Sequence, residues 1–124
     1  MNQVINVTGQ TMPAVGLGLW KLETNEVAEA VYNAIKNGYR HLDSAADYGN
    51  EQQVGEGIAR ALKDGLCSRE DLWITSKLWN TFHRKEYVQR ACEKSLSDLG
   101  IDYFDLYLIH FPIALQYVDI NDRY

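Results

Sequence analysis

Leu72-Trp73-Ile74-Thr75-Ser76-Lys77 is a short, mostly apolar run that closes on an ammonium group. Two other runs share its form. Arg40-His41-Leu42-Asp43 ends on a carboxylate, and Leu106-Tyr107-Leu108-Ile109-His110 ends on an imidazole. These terminal residues recur at intervals of roughly 33 to 34, with a segment of helical periodicity between each pair. Repetition of strand, helix and strand, with a polar side chain at each strand's C-terminal end, is how a β/α barrel places its reactive groups. The spacing therefore predicts an α/β chain of the (β/α)8 (TIM) barrel class, with chemistry at the C-terminal mouth of the strands.

The intervening segments agree with that prediction. Val27, Val31, Ala34 and Ile35 form an apolar stripe after Thr24 or Asn25, either of which is a good N-cap. A second helix is expected from near Asn50, with Val54, Ile58, Ala61 and Leu62 on one face. A third spans roughly Lys85 to Leu99 and buries Val88, Ala91, Cys92, Leu96 and Leu99. Gly38, Gly65 and Gly100 supply the stops. Gly16 to Trp20 suits the first barrel strand. Upstream, Val4-Ile5-Asn6-Val7, a turn at Thr8 to Thr11, and Met12 to Val15 read as a hairpin capping one barrel end. Pro13 confines its second arm to an edge. Period two along the strands turns His41 inward with Asp43, Thr75 with Lys77, and Leu108 with His110. Leu42, Ile74 and Ile109 then face the helices.

A complete barrel needs roughly 250 residues, whereas this chain has 124. Residues 1–124 are accordingly expected to be the N-terminal part of a single barrel domain: the hairpin, about four strands and three helices of a truncated chain. The alternative is a half-barrel completed by another copy. Asp119 to Tyr124 show no strand or helix pattern and read as a loop. A net charge of −5 without a basic cluster argues against nucleic acid. No apolar stretch approaches the roughly 18 residues of a membrane helix, and Met1 to Val4 lack the features of a secretion signal. Cys67 and Cys92 have neither metal-site nor disulfide-scaffold spacing, so reduced thiols in the cytoplasm are expected.

Asp43 and Lys77 on adjacent strand ends are placed to pair, since an isolated charge inside a barrel mouth is costly. Tyr48 follows five residues after Asp43 in a polar loop. A neighbouring ammonium favours a phenolate and so brings a phenol closer to useful proton transfer. Neutral His110 can donate to a substrate oxygen. These groups make a proton donor and a carbonyl-binding pair but no nucleophile or oxidant, so carbonyl reduction requires hydride from a cofactor. A metal-dependent hydrolase using His41, Asp43 and His110 is the rival chemistry. It lacks enough inward ligands, and Lys77 has no evident carbamate partner; no metal is expected.

At this point the chain resembles the aldo-keto reductases. The resemblance lies in Gly16-Leu17-Gly18-Leu19-Trp20-Lys21, Gly38 to Ala45, Tyr48-Gly49-Asn50-Glu51 with Val54, Gly55 and Ile58, Thr75-Ser76-Lys77-Leu78-Trp79, and Asp105 to His110. It runs from about residue 12 to 115 with motif order and spacing kept. It implies NADPH as usual hydride donor, with NADH possible, and a catalytic tetrad of Asp43, Tyr48, Lys77 and His110. In that set Tyr48 is the general acid and His110 orients the carbonyl. It also implies cofactor contacts from Gly18, Trp20, Lys21 and Asp43, and a substrate pocket of Trp20, Asp47, Trp79, His110 and Phe111. Asp47 and the run Leu108 to Ala114 look most like the sugar-reducing branch, the xylose and aldose reductases. Many relatives carry Trp where this chain has Phe111.

Each residue also has a plainer reading. Asp43 with Lys77 is compatible with a structural ion pair, Tyr48 with a surface loop, and Trp20 and Trp79 with rim packing. His41 is read as a satisfied core histidine, His83 as a loop residue, and Lys63-Asp64 with Ser68 to Asp71 as a solvated rim. At the level of the whole chain, the non-catalytic alternatives are an inactive fragment and a half-barrel active only on self-association.

Overall fold

The computed structural model describes residues 3–5 and 8–123. A hairpin of β1 (Gln3–Ile5) and β2 (Thr11–Pro13) precedes four parallel strands: β3 (Leu17–Gly18), β4 (His41–Asp43), β5 (Trp73–Leu78) and β6 (Leu106–Ile109). Three long helices connect them: α1 (Thr24–Lys36), α2 (Glu51–Lys63) and α3 (Lys85–Leu99). The strands pair in chain order, β3-β4-β5-β6. This is the sequential βαβ winding of a barrel wall. The expected hairpin arms are shorter than predicted, and Asn6 and Val7 lie outside the described residues.

The helices form where the apolar stripes predicted. Val27, Val31 and Ile35 of α1 and Val54, Ile58 and Ala61 of α2 are buried with Leu42, Ile74 and Leu99 in one cluster. Removing a Leu- or Ile-sized side chain from water contributes about 1.5–3 kcal/mol, so this layer between sheet and helices is the main source of cohesion. Each helix stop holds: Gly38, Gly65 and Gly100 all adopt positive φ.

Several boundaries differ from expectation. Thr24 is already helical, and its helix is entered from Glu23 without a side-chain cap. On α3 the deeply buried set is Ala91, Ser95 and Leu99, while Val88, Cys92 and Leu96 are half-buried. Residues Ile120–Arg123 form a short helix, α4, instead of a loop. Burial explains it, because Ile120 inserts beside Leu78, Phe82 and Ala91. Ile109 sits on the predicted outer face of β6 yet is 66% exposed, since no helix covers it among the described residues. Arg69, read as solvated rim, is mostly covered. It pairs with Asp105 at 2.9 Å and donates to the carbonyls of Leu72 and Tyr103, while Asp105 also accepts from the Ile74 amide.

Two glycines set the helix spacing. A Cβ on Gly55 would lie 2.4 Å from the Leu99 carbonyl oxygen, and one on Gly57 would lie 2.6 Å from that of Ala28. Backbone cannot yield as a flexible side chain can, so α2 packs closely on α3 and α1 only because those positions lack a side chain. Gly55→Ala is expected to lower unfolding stability by about 1–3 kcal/mol, read as a fall in denaturant midpoint. Gly18→Ala, where a Cβ meets nothing within 4 Å, should leave the midpoint unchanged.

Candidate active site

Register brings the polar strand ends together. Asp43 lies opposite Thr75, so Lys77 stands two residues further along β5 on the same face. Lys77 in turn lies opposite Leu108, two residues short of His110. The three side chains thus climb like steps from strand to strand, and the flexible lysine spans the first step. Its Nζ donates to Asp43 Oδ1 at 2.7 Å, to the Ser44 carbonyl at 2.7 Å and to Tyr48 Oη at 3.1 Å. An ammonium has three donors, and all three are engaged. The Lys77 side chain is only 12% exposed, so the charge has little access to water and depends on those oxygens.

Tyr48 closes a 3-10 turn, Ala46–Tyr48, just before α2. The edge of its ring meets His110, with centroids 5.8 Å apart. His110 also contacts Trp79 at 5.5 Å and stacks on Phe111 at 4.7 Å. Burial first, then the Lys77 charge, push the His110 imidazole below its ordinary range of about 6.5, while Asp47 and Asp43 oppose them. A neutral imidazole at pH 7 follows, with one N–H to give and one lone pair to accept. Its Nδ1 is buried without a hydrogen-bond partner.

The structure therefore gathers Asp43, Tyr48, Lys77, Trp79, His110 and Phe111 into one contact network, with Asp47 acting on it through charge. Gly18 pairs with Asp43 across β3 and β4. Trp20 and Lys21 follow on the next loop, where the Lys21 ammonium lies 4.6 Å over the Trp20 ring. Trp20 is 65% exposed, and Lys21 is the only non-glycine residue with positive φ among the described residues, at 62°. Such strain costs of order 1–3 kcal/mol and persists where surrounding structure imposes it. Asn50 holds the backbone on either side of Lys21. Its buried Nδ2 donates to the carbonyls of Leu19 and Leu22, framing the Trp20-Lys21 loop.

Sequence reasoning missed that role. Asn50 reads only as the approximate start of the second helix; it occupies the N-cap position of α2, but its side chain makes no cap bond there. Its proximity to the β3 loop is a tertiary fact that no local pattern encodes. His41 behaves as the plain reading expected, with Nδ1 on the Pro13 carbonyl and Nε2 on Thr75 Oγ1, each at 3.2 Å. His83 lies in the turn before α3.

The aldo/keto reductase family model matches residues 14–120. The chain is 58% identical over 117 residues to a probable NAD(P)H-dependent D-xylose reductase of Aspergillus clavatus, spanning 94% of this chain and 36% of that protein. It is 60% identical over 116 residues to an NAD(P)H-dependent D-xylose reductase of Pachysolen tannophilus, again 94% and 36%. Two solved structures superimpose on it. A Bombyx mori aldo-keto reductase in complex with NADP gives a TM-score of 0.90 at 48% identity, over 93% of this chain and 39% of that one. The aldose reductase of Schistosoma japonicum gives 0.92 at 46% identity, over 96% and 40%. The chain thus spans little more than a third of the length of these relatives, and its sheet is part of a TIM barrel wall.

Titration of His110 by NMR is expected to show a midpoint below the ordinary histidine value. Lys77→Met should raise that midpoint, because one depressing charge is gone while Asp43 and Asp47 remain. A midpoint that stays or falls in the variant would contradict the electrostatic assignment.

Proposed function

Since the chain belongs to the aldo-keto reductase family, we propose that the protein catalyses NAD(P)H-dependent reduction of an aldehyde or ketone to an alcohol, with aldoses such as xylose as substrates. The observation that carries this reading is the Lys77 ammonium 3.1 Å from the Tyr48 hydroxyl and 2.7 Å from the Asp43 carboxylate. The names of the relatives support the sugar and the cofactor class.

The donor set fits one side of a nicotinamide dinucleotide. Gly18 presents bare backbone with open space where a Cβ would stand, Trp20 offers an exposed ring, and Lys21 places a cation beside it. Gly18, Trp20, Lys21 and Asp43 would hold it there. When bound, that cofactor supplies the hydride that the carbonyl carbon accepts. The chain's own groups supply the rest. Tyr48 gives its phenolic proton to the carbonyl oxygen as charge develops there, and Lys77 holds the phenol in place and stabilises the resulting phenolate. Asp43 keeps Lys77 charged and oriented. Neutral His110 donates to the same carbonyl oxygen and fixes its direction. Trp20, Trp79 and Phe111 enclose the substrate's carbon frame, and Asp47 accepts from a hydroxyl of a polyol. Two free cysteines, Cys67 and Cys92, are in keeping with a reducing cytoplasmic compartment.

A second reading rests on the uncovered sheet. Among the described residues β3 and β6 each have one unpaired edge, and Leu108, Phe111 and Ile113 are exposed. On this reading the 124-residue chain by itself is inactive, or active only when a second copy covers the open wall.

Tyr48→Phe should reduce kcat for NADPH-dependent xylose reduction by at least about 100-fold, the scale of a lost general acid, while cofactor fluorescence still reports binding. Asp47→Ala should raise KM for xylose far more than for an apolar aldehyde. Full turnover in Tyr48→Phe would remove the proton donor from the scheme, and equal KM effects would remove the polyol contact. For the 124-residue chain alone, a monomer with no turnover and no NADPH fluorescence change would support the inactive reading, and turnover confined to a dimer the self-paired one.

A further inference from the structure

Glu51 is the most deeply buried carboxylate of the described chain, only 6% exposed, and the chemistry above makes no use of it. It lies in the first turn of α2, three residues after Tyr48. Its Oε1 accepts a hydrogen bond from Ser76 Oγ at 2.6 Å, and its Oε2 accepts one from Ser95 Oγ at 2.8 Å. Ser76 immediately precedes Lys77 on β5, and by strand alternation its side chain leaves the opposite face of the sheet. The segments carrying Tyr48 and Lys77 are therefore joined twice. On the inner face the Lys77 ammonium meets the phenol. On the helix side Glu51 grips Ser76 and, through Ser95, braces both against α3.

We propose that Glu51 is a positioning residue, a carboxylate clamp behind the sheet that fixes the distance between Lys77 and Tyr48. This deepens the functional reading above and rests on it for its catalytic meaning, although the clamp itself is a structural claim. The physical reason is the arrangement of the two serines. A Ser76–Glu51 bond buried away from water resists shear between β5 and the start of α2. Without it the inner contact must hold that geometry alone. Burial pushes the Glu51 carboxyl up to about 6, against the pull of its two serine hydrogen bonds, with Asp98 raising it slightly and Lys94 lowering it from α3. Both oxygens accept while the group is ionised, so the clamp is complete above that pH. Protonation converts one acceptor into a donor and forces a serine to turn.

The test uses the full chain with 13Cζ-labelled tyrosine, the Tyr48 resonance being assigned by its loss in Tyr48→Phe. Glu51→Ala and Ser76→Ala should displace that resonance by more than its linewidth. Glu51→Gln, whose amide can accept from one serine and donate to the other, should leave it in place. Ser95→Ala removes only the brace to α3 and should lower the melting temperature without moving the resonance. Where turnover is measurable, Ser76→Ala should lose about tenfold in kcat with KM unchanged, the pattern of lost positioning. A Tyr48 resonance unmoved in folded Ser76→Ala, or moved equally by Ser95→Ala, would overturn the clamp. Should Glu51→Ala fail to fold, the Ser76→Ala and Glu51→Gln spectra decide the matter. The resonance needs no turnover, so a failure of the clamp is distinguishable from a failure of the reductase reading.

Discussion

A single ammonium group organises the site. Lys77 reaches three oxygens of one short stretch, residues 43 to 48: the Asp43 carboxylate at a strand end, the Ser44 carbonyl beside it and the Tyr48 phenol in the following turn. A charge so little exposed must be matched by acceptors, or its desolvation would destabilise the fold. The acceptors must therefore converge, and their convergence draws the end of β4 and the start of α2 against β5. The requirement that stabilises the strand ends also presents the phenol beside a cation, the condition under which a tyrosine can serve as an acid.

Polar groups behind and beside this point carry the same constraint outward. Asn50 and Glu51, adjacent in sequence, work in different directions. Asn50 ties the β3 loop, in which Lys21 has positive φ, to the start of α2, while Glu51 ties α2 to β5 and α3. Three neighbouring positions, Tyr48, Asn50 and Glu51, thereby reach the β3 loop, β5 and α3. Gly55 and Gly57 let α2 sit close against α3 and α1. The hollow of about 280 Å³ bordered by Gly49, Glu51, Gln52, Lys94 and Asp98 lies on this helix side. The proposed substrate residues line the open inner wall instead.

That open wall is a different kind of feature. Trp20, Leu108, Phe111 and Ile113 are apolar and exposed on or beside a sheet whose outer strands each have an unpaired edge among the described residues. Exposed apolar surface beside an unpaired strand invites covering by more structure. Relatives about two and a half times as long supply the natural comparison.

Much of this was written locally in the chain. The helix lengths, their glycine stops, the strand parity that buries Leu42 and Ile74, and the sequence of Asp43, Lys77 and His110 at strand ends all follow from periods of 2 and 3.6, which one-dimensional patterns carry. Parity turned His41 inward beside Asp43, and its quiet role followed from the chemistry having no use for it. What the sequence could not decide were quantities depending on how separate segments meet. The two-residue stagger between strands turns three strand-end residues into a connected network. The burial of Arg69 against Asp105, the helix at Ile120, and the anchoring of the β3 loop by Asn50 each depend on a partner distant in sequence. Periodicity determined which face each side chain leaves from, because that is a property of the local backbone. Only tertiary packing decided what each one reaches, because register, helix spacing and burial are properties of the assembled sheet.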